Sequence, residues 1–188
     1  MRFLLILIAA AEPAALVQEQ THRSQVMASD RTYRVYLPPA YATSRTTRYP
    51  VVYWFHGYEA ENPARDAALA AWVAAHPVIV VESGPADTTG QFPLYFPELI
   101  EHIDKSLRTI GDRDHRAVTG SAAGGFLAIW QAAKCPDLVA SASSFGATPE
   151  APAGPQGFDV DSALSDLYPT LEGVRIRQVA AEIGRAHV

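Results

Sequence analysis

The segment from Thr119 to Phe126, TGSAAGGF, has the residue types and spacing of a turn that carries a nucleophilic serine. Such a serine is exposed at a sharp strand-to-helix turn. It needs small residues two positions before and two positions after it, because larger side chains would collide where the backbone reverses. Gly120 and Gly124 frame position 122 in this way, but that position holds Ala122. The pattern therefore predicts a turn built for acyl transfer whose nucleophile slot is empty.

Ser121 is the alternative nucleophile. Its neighbours Thr119 and Ala123 are small enough to permit a turn. The predicted register of strand and helix, however, rotates the Ser121 side chain away from the apex. We therefore expect Ser121 to be the variable residue of the turn, with its hydroxyl bonded to nearby backbone.

Two backbone N–H groups should form an oxyanion hole beside this turn. One is the N–H of Ala123, directly after the slot. The other is expected from the loop after the apolar run that ends at His56 and Gly57, at Tyr58. We expect His56 to order that loop rather than to transfer protons. Gly125 completes the glycine pair after the slot.

A serine nucleophile of this kind is followed along the chain by an acid and then a histidine. Residues 174–181 predict the strand before the acid, and Glu182 comes next. The only later histidine is His187, which leaves no room for a strand between the two roles. Residues 183–188, IGRAHV, are one translation frame of a common sequencing adapter. We expect them to be a library artefact and the acid and histidine to be missing from this chain.

Buried strands and amphipathic helices alternate along the chain, which predicts an α/β fold with a mostly parallel sheet. An opening hairpin, 24–28 with 31–37, predicts an antiparallel edge. Ligands of such sheets bind at the carboxyl ends of the strands, where the slot lies. The remaining predicted strands are 49–57, 76–84, 115–120 and 138–146, and the predicted helices are 63–75, 97–110 and 124–134. Asn62 is the expected N-cap of the first helix.

Three stretches resemble the esterase D-like (Putative esterase) family of the α/β-hydrolase fold. They are RTYRVYLPPAY with RYPVVYWFHG, then FPELIEHIDKSLRTI, then HRAVTGSAAGGFLAIWQAAKCPDL, and the resemblance covers roughly residues 33–146. The resemblance implies helices flanking a central sheet that is incomplete at the C-terminus. It implies a carboxylic-ester hydrolase like the feruloyl, acetylxylan and enterochelin esterases. The family has serine where this chain has Ala122.

The departure at Ala122 leaves two functional readings. In the first, the chain is an esterase by lineage that is inactive as it stands. In the second, it is a non-catalytic pseudo-esterase that binds an ester, a glycan or a siderophore. The expected partner is a small-molecule or polysaccharide-linked ester in either case.

Composition and charge exclude other classes. The formal net charge is −5 and no dense run of Lys or Arg occurs, so we expect no nucleic-acid binding. The single cysteine excludes an intramolecular disulfide and a cysteine-rich metal site. Because no histidine pair has metal-ligand spacing, we expect no metal and no cofactor.

The N-terminus resembles a secretory signal peptide, with Arg2, an apolar run at 3–11 and alanines for cleavage near Ala11 or a few residues later. The run is shorter than the roughly 20 residues that span a bilayer. We expect a leader at 1–18, a partial hydrolase domain at 22–182, and a secreted or periplasmic protein without stable membrane insertion. A buried first strand or a misplaced start codon is the alternative.

The other histidines and the aromatic residues have simpler expected roles. Surface or capping positions are expected for His22, His76, His102 and His115. Core packing is expected for Tyr53, Trp54 and Trp130. A pocket for an acyl or aromatic group is expected to be lined by Phe92, Tyr95 and Phe96.

Overall fold

The computed structural model describes residues 14–56, 62–83, 92–146 and 173–179, and these form one seven-stranded sheet with helices on both faces. The strands are β1 (Leu16–Arg23), β2 (Asp30–Leu37), β3 (Val51–Phe55), β4 (Ile79–Ser83), β5 (Arg116–Ser121), β6 (Ser141–Phe145) and β7 (Arg175–Val179). The helices are α1 (Ala40–Thr43), α2 (Pro63–Ala75), α3 (Phe92–Ser106) and α4 (Ala123–Lys134), with a 3-10 turn at Arg113–His115.

The strand order is β1-β2-β4-β3-β5-β6-β7. The pairs from β4 through β7 are parallel, whereas β1 with β2 and β2 with β4 are antiparallel. The prediction of a mostly parallel sheet with an antiparallel N-terminal hairpin is confirmed. Each connection between parallel strands returns the chain to the side of the sheet where the strands begin. The carboxyl ends of β3, β4, β5 and β6 therefore all lie on the opposite side.

The sheet has a large core on one face and a smaller one on the other. Side chains of α3 and α4, such as Leu99 and Leu127, pack in the larger core with Tyr53. The smaller core joins Val73 of α2 to Tyr36 and Val80. Core packing of Tyr53 and Trp130 is confirmed, and Trp54 packs partly buried against the smaller core.

The hairpin differs from its prediction in its first strand. The strand is β1, Leu16–Arg23, and residues 24–28 belong to the connection, in which Ser24 N–H donates to the Ser29 carbonyl at 3.0 Å. The sheet thus begins inside the range expected as leader and before the expected domain start at 22. Leu16 and Val17 are 46% and 42% exposed, because β1 is an edge strand. The inward face of the strand carries the polar residues Gln18, Gln20 and His22, so the sequence shows no period-two alternation of apolar residues.

Helix α3 begins earlier than predicted. It starts at Phe92 rather than 97, and Pro97 lies inside it. Tyr95 and Phe96 are consequently helical and buried, and Phe96 packs edge-on against Tyr53 and Phe55 at 5.2 and 5.6 Å between ring centroids. The prediction that Tyr95 and Phe96 line a ligand pocket is wrong, because they fill the core. The side chain of Phe92 lies outside the described part of the chain.

Asn62 caps α2 as predicted, since Arg65 N–H donates to its Oδ1 at 3.0 Å. Replacing Asn62 by alanine should lower the free energy of unfolding by about 1 kcal/mol, because a helix N–H loses its acceptor. Urea denaturation would measure the change. Asn62→Asp, which keeps an acceptor oxygen, is the matched control. Equal stability of the Asn62→Ala and wild-type chains would show that the cap contributes nothing.

Candidate functional site

The turn between β5 and α4 has an unusual backbone at Ala122. Its φ is 49° and its ψ is −122°. A positive φ is uncommon for a residue with a side chain and costs about 1–3 kcal/mol, so surrounding contacts must hold it. Ala122 N–H donates to the Phe145 carbonyl at 2.9 Å, and its own carbonyl accepts from Gly125 and Phe126 N–H at 3.0 and 3.2 Å. β6 on one side and the first turn of α4 on the other therefore fix this residue.

Gly120 and Gly124 bring three backbone segments into contact beside Ala122. A β-carbon on Gly124 would lie 1.9 Å from the Phe55 carbonyl oxygen, and one on Gly120 would lie 2.3 Å from the Gly124 carbonyl oxygen. A β-carbon on Gly125 would lie 2.7 Å from Ser144 Oγ. The end of β3, the end of β5 and the start of α4 can approach this closely only with glycine at positions 120 and 124.

Ser121 lies in the strand rather than at the turn. It is the last residue of β5 and pairs with Phe145 of β6. The positive φ that marks the apex falls on Ala122, one residue later. The geometry therefore puts the methyl group of Ala122, which has no nucleophilic atom, where the chain reverses.

The first expected oxyanion donor lies at a helix start. Ala123 is the first residue of α4, so its N–H has no carbonyl in a preceding helical turn to bond. His56 directly follows β3, and its carbonyl carbon lies 3.0 Å from where a β-carbon on Gly124 would be. Gly57, Tyr58, Glu182 and His187 lie outside the described residues. The described part of the site can thus supply one N–H donor beside the slot.

A buried ion network holds the start of α2 against the sheet, and sequence reasoning missed it. Glu82 of β4 is 5% exposed, and its Oε1 lies 2.8 Å from Arg65 Nη2. Asp66 accepts from Arg34 at 2.7 Å, and Tyr36 donates its hydroxyl to Glu82 at 3.0 Å. The only sequence signal for this network was Glu82 itself, because a lone Glu in a buried apolar strand needs cationic partners.

Two histidines differ from their predicted surface positions. His22 is 8% exposed and its Nε2 lies 2.9 Å from the Tyr95 hydroxyl oxygen, while His102 is half-buried and stacks on it. His76 and His115 are exposed, as predicted. The missed signal was the helical spacing of 95, 98 and 102, which places these residues on one face of α3.

Neither a metal cluster nor a membrane span is found where the structure describes the chain. No three His, Cys, Asp or Glu side chains in those ranges are grouped as metal ligands would be. None of the helices there is both long and apolar enough to cross a bilayer.

The strand order together with the glycine-framed turn between β5 and α4 defines an α/β-hydrolase fold. Solved structures of this fold are similar to the chain at low sequence identity. A ferulic acid esterase matches with a TM-score of 0.67 and 22% identity, covering 85% of this chain and 76% of that one. The fluorophosphonate-binding serine hydrolase FphF of Staphylococcus aureus matches with 0.69 and 16%, covering 87% and 79%. A serine-to-alanine mutant of a Clostridium thermocellum feruloyl esterase module, complexed with sinapinate, matches with 0.68 and 19%, covering 93% and 69%.

Sequence comparison gives the family. The model of the Putative esterase family matches residues 24–91 and 96–169, and the chain belongs to that family. Esterase MT1326 of Mycobacterium tuberculosis strain CDC 1551 / Oshkosh and Esterase Rv1288 of strain H37Rv are each 34% identical to it over 126 residues. Each match covers 58% of this chain and 27% of the relative, so the chain spans about a quarter of the length of these curated relatives.

Proposed function

We propose that this chain descends from carboxylic-ester hydrolases that act through serine, and that with alanine at position 122 it does not cleave esters. The observation that carries the proposal is the positive φ of Ala122 between β5 and α4. A strained backbone of this kind persists only where its surroundings over-determine it, and such strain clusters at functional sites.

With serine at position 122, the mechanism would be acyl transfer. The hydroxyl would lose its proton to a histidine and attack the ester carbonyl, and the alcohol would leave from the tetrahedral intermediate. The N–H of Ala123 and that of Tyr58 would donate to the oxyanion. Water would then release the acid. Alanine removes the attacking oxygen but keeps the backbone donor at Ala123. We therefore expect the chain to bind an ester although it cannot cleave it.

The second candidate is a pseudo-esterase that binds an ester, a glycan or a siderophore without cleaving it. The retained turn favours it, because the glycines at 120 and 124 keep their close backbone approaches although no nucleophile needs them. The sinapinate complex of the serine-to-alanine feruloyl esterase mutant supports the same idea, since that substituted protein holds a phenolic acid. We propose a small-molecule or polysaccharide-linked ester as ligand, and a secreted or periplasmic location.

The test compares hydrolysis with binding in the same preparation. We expect p-nitrophenyl acetate to be hydrolysed no faster by the wild-type chain than by Ser121→Ala, because Ser121 lies in the strand. Isothermal calorimetry with methyl ferulate would measure binding. Saturable binding without turnover supports the pseudo-esterase. Turnover that disappears in Ser121→Ala would overturn the assignment of position 122 as the nucleophile slot.

A further inference from the structure

Four rings, three of them buried and one half-buried, form a cluster where the N-terminal hairpin meets α3, away from the turn at Ala122. His22 of β1 stacks on His102 of α3 with 4.4 Å between ring centroids and 17° between planes. Tyr95 of α3 also stacks on His22, with 5.7 Å between ring centroids, and Tyr33 of β2 meets both histidines edge-on. We call these four residues the histidine cluster. It joins the edge of the sheet to a helix that begins at Phe92.

The hydrogen bonds of the cluster fix where its protons lie. Tyr33 donates its single hydroxyl hydrogen to Gln20 Oε1 at 2.8 Å. At the 2.9 Å contact between Tyr33 and His102 Nε2, the phenol oxygen must therefore accept and His102 must donate. His102 in its neutral form thus carries its hydrogen on Nε2.

His22 is bonded within the cluster through its own Nε2. That nitrogen lies 2.9 Å from the Tyr95 hydroxyl oxygen, and either atom can be the donor, depending on the tautomer of the ring. Since His22 is only 8% exposed, a charge on its ring would be held away from water. Burial of this kind favours the neutral ring.

The charged side chains nearest the histidine cluster come from β2 and α3, the elements packed against it. Arg31 of β2 lies over the Tyr95 ring at 5.6 Å, and Glu98 of α3 accepts from Ser24 Oγ and Gln25 N–H at 2.5 and 2.6 Å. Burial, and then the neighbouring His102, lower the pKa of His22 below its ordinary value of 6.5, while Glu98 acts in the opposite direction. Burial also lowers the pKa of His102. Although burial opposes it, hydrogen bonds from Ser24 and Gln25 lower the pKa of Glu98.

We propose that the stacked pair His22–His102 is an acid-sensitive latch, which holds the β1–β2 hairpin on α3 while both rings are neutral and releases it when they take up protons. Protonation of His22 places a charge on a buried ring, and protonation of both histidines places two cations with 4.4 Å between their ring centroids. Glu98 and its bonds to residues 24 and 25 remain as the second attachment of the hairpin. Release is therefore local, with the hairpin loosening before the rest of the sheet.

The direction of the pH dependence follows from the lowered pKa values. The unfolded chain binds protons on both histidines near pH 6.5, while the folded chain binds them only at lower pH. Stability contributed by the latch is present above pH 6.5 and is lost as the pH falls below it. We expect the Tm of the wild-type chain to fall by about 3 °C or more between about pH 7.5 and about pH 5.5.

The first measurement needs no substitution. NMR of the histidine-labelled chain should show His22 and His102 titrating below the other histidines, and hydrogen exchange should show lower protection of β1 amides in acid than of β5 amides. Titration of both rings at the value of an exposed histidine would overturn the proposal, as would equal loss of protection in β1 and β5.

The second measurement uses neutral replacements that keep the bonding positions. Glutamine can accept a hydrogen bond at position 22 and donate one at position 102. The Tm of the double variant His22→Gln with His102→Gln should therefore fall by less than half as much as that of the wild-type chain over the same pH interval. His76→Gln, which removes an exposed histidine outside the cluster, is the matched control and should behave as wild type. An unchanged loss in the double variant would overturn the latch. If that variant fails to fold, the titration in the wild-type chain decides.

Discussion

With Ala122 replaced by serine, in a protein that carries an acid and a histidine for the triad, we expect hydrolysis of p-nitrophenyl acetate to rise at least about 10³-fold. The backbone at position 122 already has the strained geometry and lies one residue before the N–H of Ala123. The substitution adds a single oxygen atom to a partly buried residue. Steady-state kinetics and covalent labelling by a fluorophosphonate would measure the gain.

The control for this prediction is Ser121→Ala in the serine-122 background, which should leave the restored activity unchanged. Sequencing the source locus through codon 122 and past codon 182 comes first, because the assay needs a protein that carries an acid and a histidine for the serine. No activity and no labelling in that Ala122→Ser protein would mean that the site has lost more than its nucleophile.

Gly124→Ala should be the most damaging single methyl addition at the site. The new β-carbon would lie 1.9 Å from the Phe55 carbonyl oxygen, and backbone cannot rotate away as a side chain can. Separating the end of β3 from the start of α4 should lower the free energy of unfolding by about 3 kcal/mol or more. Chemical denaturation followed by circular dichroism would measure it.

Gly111→Ala is the matched control for that substitution. A β-carbon there would have Asp104 Oδ2 as its nearest neighbour, at an ordinary contact distance of 3.6 Å. We expect the free energy of unfolding of the Gly111→Ala variant to be unchanged or raised by up to about 1 kcal/mol, because alanine restricts the conformations of the unfolded chain. Similar losses at both positions would show that the close approach at Gly124 does not constrain the fold.

The sequence predicted best where a local pattern decides the structure. Pro63 after Asn62 gave the exact start of α2, and the apolar strands from β3 to β6 were all identified within a few residues. The spacing of Gly120 and Gly124 predicted the strand-to-helix turn, because the steric need for glycine there depends on residues close in sequence.

Long-range partners explain the predictions that were wrong. Tyr95 looked like a pocket residue since it follows a strand, but the turns of α3 preceding Pro97 bury it against the hairpin. His22 looked like a surface residue because its partners are contributed by α3, more than seventy positions later. Edge strand β1 pairs with β2 and turns polar side chains such as Gln18 and His22 inward, so no apolar alternation marked it in the sequence.

The strained turn at Ala122 also bears on how catalysis can come and go in this lineage. Each of the four alanine codons differs from a serine codon in its first base alone, G against T. Since Gly120, Gly124 and the hydrogen bond from Ala122 to Phe145 hold the turn without a nucleophile, a single transversion is enough to place serine at the apex, and the turn itself needs no compensating change. The nucleophile of this turn can therefore be lost or regained in one mutational step while the backbone around it stays the same.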